Sequence, residues 1–161
     1  MALLAQDLVT SCNEATASRT LGQLYTDEST GYVYRYVQFK DAVTYAAGQV
    51  CTYAVATGLT AVTNDISGGS SIGSIVAGIA LRAMTQNYYG FVLVKGFYGT
   101  VKTSGADDIA AGENLFVHAS TDGTCDGASA STFSSGNFGI AMAADVDADN
   151  TVAALVCCFG A

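Results

Sequence analysis

An internal repeat is the feature of this sequence that most constrains its fold. The step Ala-Ala-Gly at residues 46–48 returns at 110–112, and the step Gly-Ile-Ala at 78–80 returns at 139–141. An apolar run that ends at Gly96 returns as a run that ends at Gly160. The offsets are 64, 61 and 64 residues, so three anchors keep both their order and their spacing. Self-similarity at a fixed period indicates one supersecondary unit made twice.

Each copy contains runs that are typical of β-strands. Residues 50–55 and 114–119 partly alternate between apolar and polar side chains. Residues 91–94 and 152–156 are apolar and often β-branched, as in strands buried on both faces. Helix is a poor alternative, because the runs are short and bounded by glycine. We expect little helix, and only in residues 7–19 or 103–111.

These observations predict an all-β chain, folded as a β-barrel or β-sandwich that is built from two related β-units and preceded by an N-terminal arm and a hairpin. The arm would comprise residues 1–20 and the β-domain 21–161, with the repeat at about 40–98 and 102–161. Whether the two units form one barrel or two lobes stays open. The arm has few apolar anchors after Val9, so it either reaches a neighbouring subunit or is a frayed terminus.

Residues 21–39 predict the hairpin, with a turn at 27–31 and strict alternation after it. Tyr32, Tyr34 and Tyr36 share one face of the second strand, and Arg35 lies on the other. A tyrosine face can be a half-exposed protein contact, because Tyr combines a large apolar ring with a hydroxyl at low entropic cost. Ordinary cross-strand packing is the alternative. We take Tyr32, Tyr34, Tyr36 and Arg35 as candidate protein-contact residues.

The surface of this chain carries unusually little charge. Charged residues are 12% of the sequence and hydrophobic residues 50%, whereas about a quarter of a soluble chain is normally charged. We therefore expect a homo-oligomer or a docked partner, and a monomer with a Ser/Thr surface is the alternative. A net charge of −8 with six scattered basic residues argues against nucleic-acid binding.

The sequence shows no pattern typical of a membrane helix or a signal peptide. No apolar run reaches the ~18 to 20 residues of a membrane helix, and residues 1–9 lack the pattern of a signal peptide. We expect no membrane association and an origin in the cytoplasm. The five cysteines form an odd set without C-x-x-C spacing, so we interpret them as small buried apolar residues.

One acidic segment resembles a metal site. Residues 145–150 (Asp-Val-Asp-Ala-Asp-Asn) are similar to the start of a calcium loop. The sixth position is Asn150 rather than Gly, and the twelfth is Val156 rather than a bidentate Glu. The segment aligns with 84–87 of the first copy, which has no such ligands, so a hairpin connection is the better interpretation. Calcium stays a minor alternative.

Catalytic patterns are missing as well. The single His118 lies in a predicted strand with no nucleophile elbow beside it. Asp107 and Asp108 are adjacent in sequence and suit a turn better than an acid/base pair. The Gly-Gly-Ser-Ser segment at 68–71 lacks the lysine of a phosphate loop. We expect no enzyme, no cofactor and no metal ligands.

The order of the steps resembles the decoration (cement) proteins of tailed bacteriophages. The resemblance spans residues 21–161 and rests on an "aaGd-v-v" step at 46–50 and 110–115 and a "Gia" step at 78–80 and 139–141. This chain departs from it by duplicating the steps so plainly and by its arm. The resemblance implies a β-module that binds the major capsid protein on the outer face of the assembled virion, as a trimer or dimer, without cofactor or catalysis.

We therefore expect a virion structural protein, made in the host cytoplasm, that clamps capsid subunits through its arm and hairpin. A trimer is favoured over a dimer. The alternative is a carbohydrate- or host-surface-binding β-module of a fibre or adhesin, with Tyr88, Tyr89 and Tyr98 as stacking platforms. A hydrolase is a third possibility, which the single histidine and the lack of paired carboxylates argue against.

Overall fold

Strands dominate the fold, as the short glycine-bounded apolar runs predict. The computed structural model describes residues 2–3, 6–40, 44–54, 58–65, 71–105, 108–128, 136–145 and 150–158. Within these ranges there are eleven strands, one α-helix and one 3-10 turn at Gly58–Thr60. In chain order they are β1 (Ala2–Leu3), α1 (Gln6–Ser11), β2 (Leu24–Thr26), β3 (Val33–Phe39), β4 (Val50–Ala54), β5 (Ala61–Thr63), β6 (Ser71–Ala80), β7 (Tyr89–Lys102), β8 (Asn114–Val117), β9 (Cys125–Ala128), β10 (Gly139–Ala141) and β11 (Thr151–Cys157).

Five of these strands close into a barrel. The order is β3, β5, β4, β6 and β7, and β3 pairs with both β5 and β7, which completes the ring. The β3–β5 pair is parallel and the other pairs are antiparallel. Closure removes the unpaired strand edges that would otherwise template aggregation. The all-β prediction is confirmed, and of its two architectures the barrel is the one present.

The long strand β7 joins the barrel to the second half of the chain. Its first residues pair with β3 inside the barrel, while the stretch from Lys95 to Lys102 pairs with β11. From β11 the sheet continues through β10 and β8 to β9, all antiparallel. The second unit is therefore an extension of the barrel sheet along one shared strand.

The two units use the same hydrogen bonds at the repeat offsets. The Gly48 N–H donates to the Ala80 carbonyl and the Gly112 N–H to the Ala141 carbonyl, each at 2.8 Å. In the first unit Val50 pairs with Ile79. In the second, Asn114 pairs with Ile140. The duplicated glycine steps thus fix one strand register twice.

Side-chain caps and bridges repeat in the same way. The Gln49 side chain accepts a hydrogen bond from the N–H of Ala46, and the Glu113 side chain accepts one from Ala110. The isolated bridge between Tyr45 and Met84 returns as the bridge between Ile109 and Asp145. Asp145 therefore occupies the place of a core methionine.

The N-terminal segment packs on the barrel of its own chain. Glu14 and Tyr89 exchange two backbone hydrogen bonds, at 2.9 and 2.8 Å. The Arg19 guanidinium lies 5.7 Å from the ring centre of Tyr36 and 5.5 Å from that of Phe91. Residues 14–19 thus pack on an outer face of the barrel and are not a frayed end. Contact of this segment with a neighbouring subunit stays a prediction. The division of the chain at residue 20 stays a prediction.

One detail of the predicted strands is wrong. Residues 91–94 are buried on both faces as expected, but β11 is not, because alternate residues from Val152 to Val156 are buried while Leu155 between them is exposed. Helix occurs at α1, one of the two expected places, and the described part of 103–111 has none. No helix in the described ranges is long and apolar enough to span a membrane.

Candidate protein-contact surface

Tyr34 and Tyr36, expected on a contact face, are buried against the chain itself. Their exposed fractions are 2% and 0%. The Tyr36 hydroxyl donates to the Glu14 carboxylate at 2.7 Å and accepts the Ser18 N–H at 3.2 Å. Burial raises the pKa of Tyr34 to about 12 and also raises that of Tyr36. The N-terminal segment covers Tyr36, and both rings are buried, so the contact prediction is wrong for these two residues.

Arg35 lies inside the barrel and not on a surface. Its exposed fraction is 2%, and its guanidinium donates to the Tyr53 hydroxyl. The guanidinium carbon lies 5.6 Å from the centre of the Tyr53 ring, which is a cation–π arrangement. The contact prediction is wrong for Arg35 too, because closure of β3 onto β7 turns this side of the strand inward.

Tyr32 alone of the four stays beside an accessible surface. Its ring packs flat on Gly96, where an added Cβ would lie 2.7 Å from a ring carbon. Gly96 has φ +143°, a backbone conformation that side chains rarely adopt. Tyr32 also lines a largely apolar groove of about 350 Å³ between the 27–31 turn and strands β7 and β11.

Next to this groove an apolar row crosses three strands. Ile140 pairs with Leu155, and Leu155 pairs with Phe97. Directly opposed residues of antiparallel strands project from the same face of a sheet. The exposed fractions are 43%, 47% and 46%, and Met142 at the end of β10 is 55% exposed. We call Ile140, Leu155 and Phe97 the apolar row.

The first unit has an equivalent row, and there it is covered. Ile79 pairs with Leu93, which pairs with Tyr34, so these three residues match the apolar row by strand pairing. These three residues are 0%, 1% and 2% exposed. The same row of apolar side chains is therefore core in one unit and surface in the other, and no described residue covers it in the second.

Sequence reasoning missed the apolar row, although a signal was present. In β11 the residues Val152, Ala154 and Val156 form one face, and Leu155 belongs to the opposite face, which is also largely apolar. A strand with two apolar faces is either buried on both sides or docks a partner. The sequence alone does not distinguish these two cases.

The other tyrosines considered as stacking platforms are only partly exposed. The Tyr89 ring stacks on Tyr36 at 6.4 Å, and its hydroxyl accepts a hydrogen bond from Gln38. Burial raises the pKa of Tyr98. One face of the Tyr89 ring is therefore covered by Tyr36.

The histidine and cysteine side chains, which could in principle act in catalysis or metal binding, make structural contacts. The His118 Nδ1 accepts the N–H groups of Ser120 and Thr121, which caps a turn. Four cysteines are buried and Cys157 is half-buried, and the five are free thiols, which confirms the interpretation as small buried residues for four of them. Burial raises the pKa of Cys12 to about 11 and that of Cys158 to about 12. Among the described residues, no three His, Cys, Asp or Glu side chains form a ready metal cluster.

Two carboxylates are held ionised by hydrogen bonds. Burial alone would raise the pKa of Glu14, but hydrogen bonds from Ser18 and Tyr36 lower it below its ordinary value. Hydrogen bonds from Ser29 and Thr30 lower the pKa of Asp27, at the 27–31 turn. These carboxylates fix the N-terminal segment and the hairpin turn.

The fold is similar to that of a solved structure from a phage. The N base of the head fiber gp8.5 of bacteriophage phi29 matches with a TM-score of 0.52 and 16% sequence identity, over 78% of this chain and 93% of that chain. At this identity the likeness concerns the fold alone. No protein-family model and no curated protein matches the sequence.

Proposed function

We propose that this chain is a bacteriophage virion structural protein that attaches to the outside of the capsid. The observation that carries the proposal is the fold, which it shares with the N base of a phage head fiber over 93% of that chain. The sequence steps shared with decoration proteins support the same class of protein. The proposed work is mechanical and needs no catalytic group.

The finer proposal is a decoration (cement) role in which the chain stabilises the shell. A ligand that binds the assembled shell and not its separated subunits stabilises the shell by mass action. The major capsid protein is the proposed partner, and a trimer is the oligomer that the resemblance favours. The acidic net charge of −8 suits a partner other than the packaged DNA.

The apolar row is the surface we assign to this contact. Its counterpart in the first unit is buried by the chain, and exposed apolar patches of this kind mark interaction sites. Completing the burial of three half-buried apolar side chains contributes about 1 kcal/mol each. The row then supplies about 3 kcal/mol, which is roughly a hundredfold in affinity. Tyr32 and the adjacent groove would extend the contact.

Co-sedimentation with empty capsids tests the proposal. The wild-type chain at micromolar concentration should pellet with capsids, and Leu155→Ser should weaken this binding roughly five- to thirtyfold, for a loss of about 1–2 kcal/mol. Leu59→Ser is the matched control, because Leu59 is 48% exposed at the 3-10 turn outside the row. Absence of wild-type binding would refute the capsid proposal, and glycan binding in its place would favour the fibre or adhesin alternative.

A further inference from the structure

Asp145 carries a buried carboxylate without a partner. Its exposed fraction is 2%, and neither carboxylate oxygen has a hydrogen-bond partner. Buried carboxylates in proteins are hydrogen-bonded, paired with a cation or bound to a metal ion, because an ionised group is costly to remove from water. The described residues around Asp145 give its carboxylate neither a hydrogen bond nor a cationic partner.

The repeat shows that the fold does not need an acid at this position. The equivalent residue of the first unit is Met84, which is also 2% exposed and makes the equivalent backbone bridge. The backbone of Asp145 is held by two hydrogen bonds with Ile109, at 3.1 and 2.8 Å. An apolar side chain therefore fits this place, and the carboxylate must serve something other than packing.

A second unpartnered oxygen lies in the same part of the fold. The Thr103 hydroxyl is buried and has no hydrogen-bond partner. Thr103 pairs with Cys125, and its N–H donates to the Asn150 carbonyl at 3.1 Å. The pKa of the Cys125 thiol is raised by burial first, then by the charge of Asp126, and then by that of Asp145. Thr103 and Asp145 are therefore both neighbours of Cys125, one through a backbone bridge and the other through its charge.

This donor set and the local charge favour a hard cation. Carboxylate and hydroxyl oxygens are ligands of Ca²⁺ and Mg²⁺, whereas zinc and copper sites prefer imidazole or thiolate. Residues 103–161 contain eight acidic residues and no Lys or Arg, so this segment carries a formal charge of −8. Lys102 is the one basic residue of the second unit, and neither carboxylate oxygen of Asp145 has a hydrogen bond to it.

We propose that Asp145 binds a divalent cation of the Ca²⁺ or Mg²⁺ class, with the Thr103 hydroxyl as a neighbouring oxygen donor. Residues 146–149 lie outside the described part of the chain, and the proposal gives them no role. The bound ion would join Asp145, which follows β10, to Thr103, which follows β7. The first unit, with Met84, achieves the same by apolar packing.

Thermal unfolding and calorimetry on the full chain test the proposal. The protein is stripped with EDTA and titrated with CaCl₂ or MgCl₂, while NaCl keeps the ionic strength constant because an acidic protein responds to salt in general. We expect one ion per chain. At an ion concentration about 100 times Kd, Tm should rise by roughly 5–10 °C.

Two substitutions and one control identify the ligand. Asp145→Met copies the first unit and should fold but lose the ion-dependent rise in Tm. Asp145→Asn should bind the ion at least tenfold more weakly, and it replaces the Met variant if that one does not fold. Asp108→Asn removes the same charge from an exposed position and should keep the response. A wild-type Tm that neither ion changes, or a response that survives in the Asp145 variants, would overturn the proposal.

Discussion

Alanine substitution at Gly48 and at Gly112 should have very different effects on stability. The two glycines are equivalent in the repeat and have positive φ angles of +83° and +90°. A Cβ at Gly48 would lie 2.2 Å from the Thr100 carbonyl oxygen, whereas a Cβ at Gly112 would meet nothing within 4 Å. The extension of β7 that pairs with β11 covers the first glycine, whereas the second is exposed.

The expected magnitudes follow from these contacts. Both substitutions put a side chain into the left-handed region, which costs about 1–2 kcal/mol. At Gly48 the backbone must also move away from Thr100, which strains the hydrogen bonds to Ala80 and from Lys102, at 2.8 and 2.9 Å. Each such bond contributes about 1 kcal/mol. We therefore expect a loss of about 1–2 kcal/mol for Gly112→Ala and about 3–5 kcal/mol for Gly48→Ala.

Urea unfolding followed by circular dichroism measures both losses on the same scale. The difference between the two variants is the informative quantity, because the shared left-handed cost cancels in it. Equal losses, within about 0.5 kcal/mol, would show that the clash at Gly48 is relieved without cost and would refute the reasoning from the close contact with Thr100.

Three further predictions follow from the packing of single side chains. Tyr36→Phe should lower the free energy of unfolding by about 2 kcal/mol, because the Tyr36 hydroxyl donates to the Glu14 carboxylate. Tyr25→Phe should lower it by under about 1 kcal/mol, because the Tyr25 hydroxyl donates to the neutral side chain of Gln23. Urea unfolding of both variants checks this prediction, and equal losses would contradict it. Glu14 and Asp27 have lowered pKa values, so they bind protons more tightly when unfolded. The stability that they contribute should be complete above about pH 5 and lost as pH falls through their folded-state pKa values, and an unfolding series from about pH 7 to 3 with Asp27→Asn as reference would detect it. With a thiol reagent at about pH 8, we expect Cys157 to react rapidly. The four buried cysteines should react slowly, because their exposed fractions are at most 6%. Rapid reaction of several thiols in the native chain would argue against the closed core.

Much of the fold could be predicted because its signals are local. Glycine punctuation, short β-branched runs and the duplicated Ala-Ala-Gly and Gly-Ile-Ala steps indicate strands, and the hairpin at residues 21–39 follows from its turn. The same steps also fix the strand register in each unit. These features depend on backbone conformation at single residues, which sequence patterns report well.

The contact surface could not be predicted, because it depends on closure. Alternation shows that Tyr34 and Tyr36 share one face of β3, but not that the N-terminal segment covers this face or that Arg35 faces Tyr53 across the barrel. In the same way, Leu93 and Leu155 each pair with the isoleucine of a Gly-Ile-Ala step, yet only Leu155 is exposed. Long-range pairing decides such cases, and no local pattern encodes it.

Cryo-electron microscopy of purified phage particles that contain this chain tests the central claim most directly. The account predicts density for the barrel on the outer surface of the shell, with Ile140, Leu155 and Phe97 against the major capsid protein. Particles whose outer surface lacks this density, or density in which the apolar row faces solvent while another face meets the capsid, would contradict it.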